Sequence, residues 1–166
     1  MHGFTKQSVY SASGNTSNAT AGASSTARNQ LHAVTLATAP GVGRRLRLIA
    51  SGVYTLAAGE VTVEIAFAAA PTTIIRGQTT TLGTNIPYLL EAVVLVTTAG
   101  AAGVLASGSS ARLGSSDPFE VEEVRSQIDS AVDLTGQPVI EVAQSFDTSD
   151  AGNSVTSRVF IVEVLN

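Results

Sequence analysis

Few side chains in this 166-residue chain belong to types that do chemistry, and their spacing decides what each could do. There are two histidines, His2 and His32, and neither has a neighbouring acid or histidine at the spacing a zinc site uses. A Ser-His-Asp arrangement would have to recruit His32, and no nucleophile-elbow motif accompanies it; "SGSS" at 107–110 reads as a small-residue loop. With no cysteines, disulfides, thiolate metal sites and thiol catalysis drop out. The run "DTSDAGN" (147–153) has the oxygen-rich look of a calcium loop, but it lacks the EF-hand spacing and closing glutamate. The same residue types build hairpin turns, and the turn is the preferred reading. Gly41-Val42-Gly43 precedes a strand-like run, the wrong context for a phosphate-binding turn. Glu120, Glu122 and Glu123 read as a solvated acidic face. No catalytic residue, cofactor or metal site is therefore expected.

Charge narrows the partners. Arg44, Arg45 and Arg47 form the one basic cluster, and in a strand Arg45 and Arg47 share a face. A solvated strand face is the plainer reading; a local anionic contact is the sharper one. The net charge of −4 argues against nucleic acid, which needs a basic stripe. The start "MHGFTKQSVY" lacks a basic region followed by an apolar run, so synthesis in a cytoplasm is expected. The longest apolar stretch, "IPYLLEAVVLV", is interrupted by Glu91 and falls well short of the ~18 residues of a membrane helix, so no membrane role is expected. Only 13% of residues are charged against 44% hydrophobic, so Ser, Thr, Gly and Asn must cover the surface, or other chains must bury part of it.

The elements that would position these residues are strands. "EVTVEIAFA" sets Val61, Val63, Ile65 and Phe67 on one face and Thr62, Glu64 and Ala66 on the other. "RRLRLIA" alternates Arg45 and Arg47 with Leu46 and Leu48; residues 31–38, 72–77 and 119–124 are further strands. "LLEAVVLVTT" (89–98) is rich in β-branched residues and reads as a strand buried on both faces. Residues 117–131 begin with an Asp-Pro helix-start signal and stay open between strand and helix. Dense Gly and Pro turn signals between short strands indicate a sandwich or barrel, and no fixed repeat points to a solenoid.

Two segments divide the chain. Residues 1–29 read as an extended or flexible arm, because Ser11 to Asn29 contains no large apolar residue that could offset ordering entropy. Phe4, Val9 and Tyr10 at its outer end suit a docking arm, although such residues also occur by chance at disordered termini. Asn15 and Asn18 head sequons that lack a secretory context. Residues 30–166 form the β-sandwich domain. Its last run, "SVTSRVFIVEVL", is apolar on both sides: Val155, Val159, Ile161 and Leu165 on the expected core face, and Phe160, Val162 and Val164 on the other, expected to meet another copy of the chain.

The stretch "VDLTGQPVIEVAQSFDTSDAGNSVTSRVFIVEVL" resembles the C-terminal end of jelly-roll virion structural proteins of tailed bacteriophages, of the capsid decoration or cement type. In these an Asp-Leu-Thr turn leads into a strand, a polar Ser/Asp/Ala/Asn hairpin, and a final strand ending in Glu-Val-Leu. The likeness covers about residues 44–166, its specific part residues 132–165, and excludes the arm. It implies an all-β, antiparallel two-sheet jelly-roll sandwich, usually trimeric and mounted on a capsid or tail, with no catalytic residues. The resulting expectation is a homotrimeric decoration protein on the outer capsid surface, bound to the major capsid protein through its arm and sandwich base. The alternative is a baseplate or tail-fibre binding module that recognises a host surface or another virion protein. Aromatic content of 5% without tryptophan disfavours a sugar platform, and a cupin-like enzyme lacks its clustered histidines.

Overall fold

The computed structural model describes residues 8–13, 27–69, 72–114, 121–123 and 127–165. Among the described residues eleven strands account for the regular structure: β1 (Ser8–Ser13), β2 (Asn29–Thr35), β3 (Arg45–Leu56), β4 (Val61–Phe67), β5 (Thr72–Thr79), β6 (Gly83–Thr98), β7 (Gly103–Leu113), β8 (Val121–Glu123), β9 (Gln127–Val132), β10 (Val139–Phe146) and β11 (Ser154–Leu165). No helix occurs among the described residues, so the parts of 117–131 that are described, β8 and β9, are strand.

Two antiparallel sheets face each other. The first runs β1-β11-β3-β6-β7-β8, with β9 also on β7; the second runs β2-β10-β4-β5. The pairings β1·β11, β2·β10, β3·β6 and β4·β5 trace one long hairpin whose ribbon is wound over itself, which is the jelly-roll order. Strands β7 to β9 are inserted between the sixth and seventh strands of that roll and widen the first sheet.

Alternation works as expected on β4, where Val61, Val63, Ile65 and Phe67 are buried in the core. Leu46, Leu48 and Ala50 of β3 and Tyr88, Leu90, Ala92, Val94 and Val96 of β6 face them from the other sheet. β6 is not covered on both sides in the single chain: Leu89, Glu91 and Leu95 are only half-buried and Val93 is exposed. The "SGSS" stretch is strand rather than loop, lying inside β7 with Ser107 and Ser109 turned inward and buried. Serine and glycine have weak strand preference, and the pairing to β6 overrides it. Opposite, Gly77 of β5 leaves room for Leu113 of β7, which a Cβ at Gly77 would overlap.

The final strand carries a correction. Pairing of β11 with β3 shifts between Ser157 and Val159, so Arg158 is an extra, bulged residue. Before the bulge Val155 and Ser157 point inward; after it Phe160 and Val162 do. One inserted residue swaps the faces downstream. His32 of β2 stacks on Phe160 at 6.4 Å between ring centroids, and its Nε2 lies 3.2 Å from the Ser157 carbonyl oxygen.

The turns lock this arrangement. In the Asp-Leu-Thr turn, Asp133 Oδ1 accepts from Thr135 Oγ1 at 2.6 Å and Thr135 N at 2.8 Å, and these hydrogen bonds hold its carboxyl below the usual range. In the β10–β11 turn, fully buried Asn153 accepts from Ala57 N at 2.7 Å and donates to Ala58 O at 3.0 Å, tying that hairpin to the β3–β4 turn.

Two expected outcomes follow from this core. Phe160→Ala should cost about 3–5 kcal/mol in urea unfolding, because the ring is wholly buried and stacked. Burial pushes the Tyr88 phenol from 10.0 up to about 12. The folded state thus favours the neutral ring, and that stability is fully present below pH 10 and lost as pH rises toward 12. Stability curves of the wild type should fall more steeply over that window than those of Tyr88→Phe.

Candidate functional site

The residues expected to contact partners fall in three places. Phe4, like the sequons at Asn15 and Asn18, lies outside the described residues. Val9 and Tyr10 sit in β1, paired along the sheet edge with Glu163 and Val162 of β11. Phe160 and Val162, expected at an oligomer seam, have no exposed surface and belong to the chain's own core, while Val164 is half-buried against it. The bulge at Arg158 is the physical reason. The outward face of β11 instead carries Val159, Ile161, Glu163 and Leu165.

That face continues across the sheet. In register with β11, the outward rows read Val159, Ser51, Leu89 and Arg112, then Ile161, Ile49, Glu91 and Ser110, then Glu163, Arg47, Val93 and Gly108. Arg47 Nη1 donates to Glu163 Oε2 at 3.4 Å, and with the arginine side chain 47% exposed the pair adds little stability. Arg45 and Arg47 share this face as the sequence implied; Arg44 precedes the strand, its carbonyl accepting from Val96 N at 2.9 Å. Gly108 has no side chain to fill its place beside Val93, and a shallow depression of about 410 Å³ opens there, lined by Arg47, Glu91, Val93 and Ser110.

The second sheet is polar on its outside. Arg28 donates through Nε to Glu64 and through Nη1 to Glu141, which lie 36 and 113 positions away. Thr73 Oγ1 donates to the other oxygen of Glu64 at 2.8 Å. Both carboxylates are nearly buried, at 9% and 3% exposure, so the single guanidinium compensates two desolvated charges. Burial works against the Arg28 charge, but the bonds and attraction from Glu64 and Glu141 outweigh it and raise its pKa. Alongside lies an open depression of about 320 Å³ whose lining includes Arg28, Glu60, Arg76, Gln78 and Asp147. Sequence reasoning missed this clamp. Arg28 sits in the polar "STARN" run, and only Glu64 and Glu141, acidic residues on otherwise apolar strands, hinted that a cation must meet them.

The remaining titratable groups make local structural contacts. His32 is enclosed in the core, with its Nε2 facing a backbone carbonyl. Asp147 and Asp150 each accept from a backbone N–H, of Glu60 at 2.5 Å and Gly152 at 2.7 Å, as turn-forming carboxylates do. Among the described residues no three His, Asp or Glu side chains converge as metal ligands do.

Arg28→Met should lower unfolding stability by about 3 kcal/mol, since it strands two buried carboxylates. Adding Glu64→Gln and Glu141→Gln to that variant should recover much of the loss in the same urea titration.

No protein-family model matches the chain, and no curated protein matches it. Among solved structures, the CBM2 module of Lactobacillus casei BL23 phage J-1 evolved Dit is similar at a TM-score of 0.40 and 10% identity, over 79% of this chain and 67% of that one.

Proposed function

We propose that the chain is a non-enzymatic structural protein of a phage virion, a trimeric decoration protein on the outer capsid surface. Its partner is the major capsid protein, engaged by the arm of residues 1–29 and by the sandwich. The observation that supports this reading is the jelly-roll ladder itself. The stretch that resembles virion proteins, residues 132–165, supplies β10 and β11, each flanked by two strands in its own sheet, so the likeness falls on the centre of the roll. The arm fits the role as well. Its strand β1 is attached to the sandwich along the edge of β11 over six residue pairs. Edge pairing of that kind is a mode by which a segment of one protein adds to the sheet of another.

The alternative, a tail or baseplate module that binds a host surface, draws on the polar depression beside Arg28, where Glu60, Gln78 and Asp147 present donors and acceptors together.

Removing residues 1–26, which spares Arg28 and its clamp, should leave a folded sandwich that no longer holds to capsids stripped of the native protein. Sedimentation of such capsids with the full and the shortened chain measures this. Coating by the shortened chain at wild-type affinity would remove the arm from the binding surface. Binding of both forms to host cells, and of neither to capsids, would replace decoration by the tail reading.

A further inference from the structure

The proposed structural role leaves open where copies of the chain meet, and this inference rests on that role. The outward face of β11, β3, β6 and β7 carries Ile49, Val53, Leu89, Val93, Val159 and Ile161, all at least partly exposed, with Val93 45% so. An antiparallel sheet with one solvated face ordinarily alternates apolar inside with polar outside. Here six large apolar side chains stand among the polar groups of the outer face, and nothing among the described residues covers them.

We infer that this face is the contact between copies of the chain. Three observations select a second copy as its occupant. The first is size: strands of 11 to 16 residues, at ~3.3 Å per residue and ~4.8 Å between strands, give the four-strand face roughly 700 Å². A standard interface takes ~800 Å² from each partner, so the face is the right size to close one contact. The second is charge. Glu91 lies in the middle of the face and Arg45 and Arg158 lie toward its ends, and none of the three takes part in an ion pair among the described residues. A face with unpaired charges of both signs complements a copy of itself, whereas a partner of one sign would leave at least one of the three unmet.

The third is shape. Val93 and Gly108 are direct cross-strand partners, so an exposed knob stands beside a hole. Placed against a second copy, Val93 of one fills the depression at Gly108 of the other. The contact is reciprocal in a two-fold pair, whereas in the proposed trimer each copy would offer its knob to one neighbour and its hole to the other.

The test is light scattering of the full chain across micromolar concentrations, with Gly108→Leu as the probe. Nothing lies within 4 Å of a Cβ at Gly108, so the fold accommodates the side chain while the hole is filled. Wild type should show a multiple of the 16.9 kDa chain mass. Gly108→Leu should keep its melting curve and weaken association by about tenfold or more, the order of one lost anchor. Val93→Ala added to Gly108→Leu should restore part of the association by shrinking the knob, a rescue that a merely structural effect would not give. Ile49→Asp with Ile161→Asp should yield monomer.

A monomeric wild type overturns the inference, as does an unchanged mass for Gly108→Leu. If that monomer still coats capsids, the decoration role stands while the seam falls. If Gly108→Leu leaves the oligomer intact but abolishes capsid binding, the occupant of the face is the shell protein and the self-contact is wrong.

Discussion

The inserted residue at Arg158 governs more of this molecule than any side chain does. A strand exposes alternate residues to opposite faces, so one extra residue transfers everything downstream from surface to core. It turns Phe160 and Val162 inward, where Phe160 supports His32 of the opposite sheet, and it leaves Val159 and Ile161 outside. Without the bulge the two sheets would lose their largest shared aromatic contact at this end. The outer face would then present a different set of apolar groups. The core of the sandwich and the surface offered to partners are therefore two consequences of one register shift.

The two outer faces have opposite characters. On the β2-β10-β4-β5 sheet, charges are drawn into a desolvated cluster in which Arg28 bridges Glu64 and Glu141. Such a cluster is poor as a source of net stability but strict about geometry, because removing any member leaves a buried charge unmatched. It fixes where the N-terminal segment enters β2, and so where the arm is tethered. The sheet built around β11, β3 and β6 instead mixes apolar side chains such as Ile49, Leu89, Val93 and Ile161 with Glu91 and the Arg47–Glu163 pair on its outside, a composition suited to burial against protein.

With few charged residues, the surface relies on small polar side chains, and its exposed large apolar groups include Val93 and Val104 on strands β6 and β7 and Val42 and Leu82 in loops. Strand β1 lies at the edge of the same sheet, so the proposed shell-binding arm and the proposed subunit contact would sit side by side on β11.

Much of this was written in the sequence. Period-two alternation located β3 and β4 and separated Leu46 and Leu48 from Arg45 and Arg47, because burial on one face selects residues at every second position. Alternation also indicated the two-sheet class, and the Asp-Leu-Thr turn marked where β10 begins. The β7 strand was invisible, since Gly, Ser and Ala carry no strand signal and only the ladder to β6 holds them extended. The Arg28 clamp was invisible because its partners are distant in the chain and converge only when β4 and β10 lie side by side. The facing of the last strand depended on the bulge, which is set by pairing with β3 and leaves no mark in a run of residues apolar at nearly every position. Local periodicity determines which segments are strands; which side of a strand is inside is decided by its neighbours, because register is a property of the pair.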